Sequence, residues 1–136
     1  MSQIEIRQAL EKALDSITPQ ISTAWENRVF EATEDVPYQR VHLMPAQPLN
    51  PEIGVGGFFQ EQGIFQISLC YPLNNGPKDA DARAELYRTV FYQGSQFTKG
   101  QTKVQVTRTP AISLGKADGD RWIVTLKIIY VANGLN

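Results

Sequence analysis

The chain has 136 residues, 42% hydrophobic and 20% charged, with 13 Lys and Arg against 14 Asp and Glu, for a net charge of −1. This is the composition expected of one soluble globular domain, and scattered basic residues in so neutral a chain exclude a general binder of the nucleic-acid backbone. A lone cysteine, Cys70, excludes an intrachain disulfide and fits a reducing compartment; without a basic-then-apolar start or a stretch of membrane-span length, neither export nor insertion is expected.

The first predicted element is a helix. Ser2 can cap it, Glu5 follows three residues later, and Ile6, Leu10, Ala13, Leu14 and Ile17 make one apolar stripe opposite Gln8, Glu11, Lys12 and Asp15. Pro19 stops it. Thr23 to Asn27 reads as a short strand or turn, followed by an acidic loop through Glu31, Glu34 and Asp35, and then a strand from Tyr38 to Met44. Residues 45–57 hold Pro45, Pro48, Pro51, Gly54, Gly56 and Gly57 and read as a long mobile loop, of the length that usually serves a function.

A strand follows from Phe58 to Pro72. Phe59, Phe65, Ile67, Leu69 and Tyr71 share a core face, Gln60, Gln62, Gln66 and Ser68 the polar one, and Gly63 reads as a bulge. After the Asn75-Gly76-Pro77 turn, Asp79 or Asp81 can cap a second helix with Ala84, Tyr87, Val90 and Phe91 inward and Gly94 as its stop. Two strands close the chain, Thr102 to Arg108 and Arg121 to Ala132, joined by a loop holding Pro110, Gly115 and Asp118-Gly119-Asp120. The last strand is apolar on both faces and is therefore expected at the centre of the sheet.

Chemistry-bearing residues are sparse. His42, the sole histidine, has no nucleophile or acid at a spacing that would make it a general base, and Cys70 reads as a half-buried inert thiol without an activating base. Gly54-Val55-Gly56-Gly57 opens a strand, whereas phosphate-cradling loops open a helix. Asp118-Gly119-Asp120 lacks the further oxygen ligands of a calcium loop and reads as a hairpin turn. Asp79, Asp81 and Glu85 read as charges favouring a helix N-terminus. No catalytic, metal or cofactor site is expected.

The order of elements gives an α+β fold, a mainly antiparallel sheet with two helices packed on one face. The other face, with Phe58, Ile64 and Ile129 and the apolar parts of Lys127 and Arg108, would stay partly exposed in a monomer, which points to an oligomer. The candidate interface is Arg40, His42, Gly54, Gly56, Gly57, Phe58, Gln60, Gln62 and Gln66.

Several features occur in an order shared with a known family. They are the amphipathic helix from Ile4 to Ile17, Trp25-Glu26-Asn27, the Pro37-Tyr38 strand entry and the Pro/Gly loop. After these come the strand centred on Gly63-Ile64-Phe65-Gln66-Ile67, the second helix and the closing Arg121-Trp122-Ile123-Val124. In this order and spacing the chain resembles the phage tail terminator-like proteins over nearly its whole length, as a single domain spanning 1–136. The resemblance implies a structural virion protein, made in the host bacterial cytoplasm, without catalytic residues, cofactor or membrane. It would form a ring, commonly a hexamer, on the head-proximal end of the tail tube. The ring would stop tube polymerisation, offer a surface to head-completion proteins and meet DNA only as it passes the channel. Two alternatives stand beside it: another head-tail neck or connector component, and a small α+β ligand-binding domain or enzyme.

Overall fold

A computed structural model describes residues 3–48 and 58–135, with the backbone alone at 58 and 133–135. Its elements are α1 (Gln3–Asp15), β1 (Ser22–Ala24), β2 (Tyr38–Pro45), β3 (Phe58–Pro72), α2 (Lys78–Val90), β4 (Gln96–Lys99), β5 (Thr102–Val106), β6 (Ala111–Ile112), β7 (Lys116–Asp118) and β8 (Arg121–Leu135). The strands form one sheet in the order β1-β2-β3-β8-β5-β4, with the short β6 and β7 also paired to β8. Among the described residues only β1 with β2 is parallel. The α+β class and both helices agree with the sequence pattern, and β8 lies inside the sheet, as its two apolar faces require.

The β3–β8 pair is the frame. It runs unbroken from Phe58 opposite Leu135 to Pro72 opposite Arg121. Alternation sends Phe65, Ile67 and Leu69 of β3 and Val124, Leu126, Ile128 and Tyr130 of β8 to the same side, where they meet Val41, Leu43, Val104 and Val106 in one buried cluster. The helices cover that side. α1 contributes Ile6, Ala9, Leu10, Ala13 and Leu14, and α2 contributes Ala80, Ala84 and Tyr87, followed by Phe91. The sheet curls so that α1 packs on β4 and β5 with one flank and faces Leu43 and Pro45 of β2 with the other.

The edge of β2 beyond β1 is closed by a side chain. Ala46 N donates to Gln62 O, so the even residues of β2 bond to β3 and the odd ones point away. Of these, Leu43 N donates to Glu26 Oε1 at 2.5 Å, and Pro45 has no N–H. The same carboxylate oxygen accepts Arg7 Nη1 at 2.8 Å, which ties α1 to this edge.

Several local expectations are corrected. Gly63 is not a bulge: it lies in continuous register with Tyr130 and Pro45. It faces inward, and a Cβ there would sit 2.6 Å from Met44 O and 2.7 Å from Tyr130 Oη, so the position needs glycine for space. The cap position of α2 is Pro77, with no side-chain capping bond, and Asp79 and Asp81 occupy the first turn instead. Ser68 and Cys70, expected polar-facing and half-buried, are both buried. The segment between the closing strands contributes β6 and β7, and β4 precedes β5; these short strands have no alternation long enough to read. Asp118-Gly119-Asp120 does form the turn between β7 and β8, with Gly119 at φ 61°. Ser2 and residues 49–57, including Gly54, Gly56 and Gly57, lie outside the described residues. Among the described residues no helix is long and apolar enough to cross a membrane.

Two buried tyrosines contrast. Tyr87 Oη accepts from Arg83 Nε at 2.9 Å and donates to Gln39 Oε1, while Gln39 Nε2 donates to Thr23 Oγ1 at 2.8 Å. This chain of bonds joins α2, β2 and β1, and Arg83 Nη1 extends it to Pro19 O. The Tyr130 hydroxyl is buried with no partner among the described residues. Tyr87→Phe should therefore cost about 1–3 kcal/mol in denaturant unfolding, because Gln39 and Arg83 keep buried groups unpaired, whereas Tyr130→Phe should be neutral or stabilising. Equal losses for both would refute the distinction.

Burial, reinforced by Glu61, pushes the Tyr130 hydroxyl up to about 12. Between the ordinary tyrosine value of about 10 and that point the unfolded chain binds fewer protons than the folded one, so stability falls as pH rises. Tyr130→Phe should flatten that alkaline decline, read as unfolding free energy at pH 9 to 12. Gly63→Ala should destabilise by about 1–3 kcal/mol through overpacking, with an unchanged midpoint as the refuting result.

Candidate interface on the open sheet face

The residues alternating with the core set on β2, β3, β4, β5 and β8 point away from the helices. Register places them in cross-strand rows. Tyr38, Cys70 and Ile123 form one row; Arg40, Ser68 and Thr125 form the next; then come His42, Gln66 and Lys127, and after them Met44, Ile64 and Ile129. Gln62, Val131 and Gln105 follow, with Gln60 beyond them. Of the candidate interface residues, Arg40, His42, Gln60, Gln62 and Gln66 thus share this single face. Phe58 is in β3 opposite Leu135, with only its backbone described.

The two ends of the face differ because the chain folds back over one of them. Phe30 stacks on Tyr38 with ring centroids 5.0 Å apart. Arg121, buried, donates from Nη1 to Val36 O at 2.5 Å and from Nη2 to Thr33 O at 2.7 Å, with its guanidinium 5.0 Å from the Tyr38 ring centre. The segment 28–37 therefore roofs the first rows, and Ser68, Cys70 and Ile123 are buried beneath it. Farther along, His42, Met44 and Lys127 are exposed and Ile64, Gln66, Ile129 and Val131 half-buried. This is the open part: an apolar row of Met44, Ile64 and Ile129 between glutamines and one lysine.

The electrostatics are structural in character. Burial alone would raise the Glu26 carboxyl, but the hydrogen bonds from Arg7 and Leu43 N–H hold it below the usual range, and His42 Nδ1 stands 3.9 Å away. Glu11, 3.7 Å from Arg7, is pushed up chiefly by burial. Arg7, Glu11, Trp25, Glu26, Asn27 and Arg28 line an open cleft of about 560 Å³, in which Arg7 pairs with both Glu11 and Glu26. Burial also pushes the Cys70 thiol up, against the pull of nearby Arg40, and Sγ donates to Ser68 O at 3.7 Å. His42 lies opposite Gln66 and Cys70 opposite Tyr38, so the two are separated by about 13 Å of strand and form no thiol-imidazole pair. Among the described residues no group of three or more His, Cys, Asp or Glu is placed to hold a metal.

Sequence reasoning placed Lys127 on this face beside Ile64 and Ile129, as the register shows, but missed Gln105, which enters through the pairing of β5 with β8. It also missed the roof. Phe30 and Arg121 carry its contacts, and their separation in the sequence gives no local signal.

A model of the family described as phage tail terminator protein matches residues 5–130. A search of curated proteins finds no match. Among solved structures, one with 24% sequence identity superposes with a TM-score of 0.79, covering 97% of this chain and 96% of that one, a likeness of fold over the whole domain. The chain belongs to the phage tail terminator family, and its role is that of a structural virion protein in phage tail assembly.

Proposed function

We propose that the chain is the subunit of a ring that sits on the head-proximal end of a phage tail tube, ends tube polymerisation and presents the surface to which the head joins. The supporting observation is a family match over nearly the whole chain, combined with a half-exposed apolar row on a sheet face whose opposite side carries the main buried cluster. Such a row beside glutamines suits a protein contact with a polar, hydrated rim. A second copy of the chain, in a homohexamer, the tube protein and a head-completion protein are the partners this reading requires. DNA enters only by passing the channel. Assembly would take place in the host cytoplasm.

The residues proposed to make these contacts are Arg40, His42, Gln60, Gln62 and Gln66 on the outer face, with Phe58 at the start of β3 and Gly54, Gly56 and Gly57 shortly before it in the sequence. The second reading, another head-tail neck component, shares the family's compartment and predicts a different defect.

Tails assembled without this chain should grow beyond normal length and carry no heads in electron micrographs. Tails of normal length that only fail to join heads would favour the neck reading, and normal, head-bearing particles would sink both. Ile129→Asp should leave the melting temperature within a few degrees of the parent, since the side chain is half-exposed. It should nevertheless abolish capping, because a carboxylate buried in a contact costs several kcal/mol.

A further inference from the structure

Charge is segregated on this domain in a way that net charge hides. On the outward positions of β2, β3, β4, β5 and β8 there is no carboxylate, while Arg40, His42, Lys103, Arg121 and Lys127 all lie there. The acidic groups are concentrated elsewhere, most compactly on the roof segment, where Glu31, Glu34 and Asp35 are exposed and make no ion pair among the described residues. The same segment exposes Val29 at 97% and Val36 at 43%. It is also held in shape, by the two Arg121 bonds to Thr33 O and Val36 O and by the stacking of Phe30 on Tyr38. A preorganised loop loses less freedom on docking.

The open part of the face is its complement: Lys127 without an ion pair among the described residues, beside the apolar row of Met44, Ile64 and Ile129. We propose that the acidic, apolar-tipped loop 29–36 of one subunit docks on the open sheet face of the next copy, with Glu34 or its neighbours against Lys127 and the valines against the apolar row. This rests on the ring reading above and names the surfaces that would make the ring. The proposal takes the contact as one-way, each subunit giving its loop to one neighbour and its open rows to another, which is heterologous and can close into a ring; a reciprocal exchange of the same two patches would stop at a dimer and overturn it. An acidic surface on another protein is the competing occupant.

The experiment is a charge swap on the full chain, read as ring formation on tail tubes and as the subunit concentration needed for it. Lys127→Glu and Glu34→Lys should each raise that concentration about tenfold or more, and the double variant should return it to within about threefold of the parent, because only a direct pair restores itself on reversal. All three should melt as the parent does, since both positions are exposed. Rings that form normally with Lys127→Glu overturn the proposal and leave the ring reading standing. Loss with Lys127→Glu that Glu34→Lys or Glu31→Lys cannot rescue assigns the face to another acidic partner and likewise overturns it. If the parent chain makes no ring on tubes, the ring reading fails first and the proposal with it.

Discussion

The antiparallel register of β3 against β8 is the constraint from which the remaining structure follows. Every other strand is placed by reference to one of these two, directly or through a neighbour. Because strand side chains alternate, a slip of one residue would carry Phe65, Ile67 and Leu69 to the outside and bring Gln66 and Ser68 into the core. Gly63 pins the register. Only a residue without a side chain leaves space at that point for the Tyr130 hydroxyl and the Met44 carbonyl, so a shifted pairing meets a clash as well as a polar core. The same register decides which residues stand together on the outer face, and hence what a partner can meet.

Two buried arginines carry the order of the framework outward to the loops. Arg83 reaches Pro19 O beyond the end of α1, and Arg121 holds Thr33 O and Val36 O of the segment above the outer face. A guanidinium has several fixed donors and cannot be left unpaired when buried. Each one thus turns a stretch of irregular backbone into its obligatory acceptor. Loops that would be loosely held by apolar contacts alone acquire a defined path, and the roof over Tyr38 and Cys70 is the clearest result.

The elements with long periodic patterns were legible in the sequence. The stripe of α1, the alternation of β3 and the two apolar faces of β8 each run for enough residues to declare their period, and the position of β8 within the sheet followed from its composition. What escaped was set by distant partners. The strands β4, β6 and β7 are only a few residues each and exist because β5 and β8 offer them backbone to pair with. Gly63 looked like a bulge because its real reason, the Tyr130 hydroxyl, lies across the sheet. Of the candidate interface, the alternating residues of β2 and β3 could be placed on one face from their own spacing, whereas Gln105 needed the register, and the burial of Ser68 and Cys70 needed the roof.

The closure of the β2 edge by Glu26 and Pro45 has a further consequence. An open strand edge is a template for adding strands from other chains without limit, and such growth has no built-in end. Here the exposed donor of Leu43 is already occupied by a carboxylate, and the next outward position has no donor to offer. At this edge association is left to side-chain surfaces, whose shapes and charges admit a fixed number of neighbours. On the proposed function this matters doubly. A protein that brings one polymer to a halt must not seed another from its own backbone, and a single glutamate at the margin of the sheet serves that end.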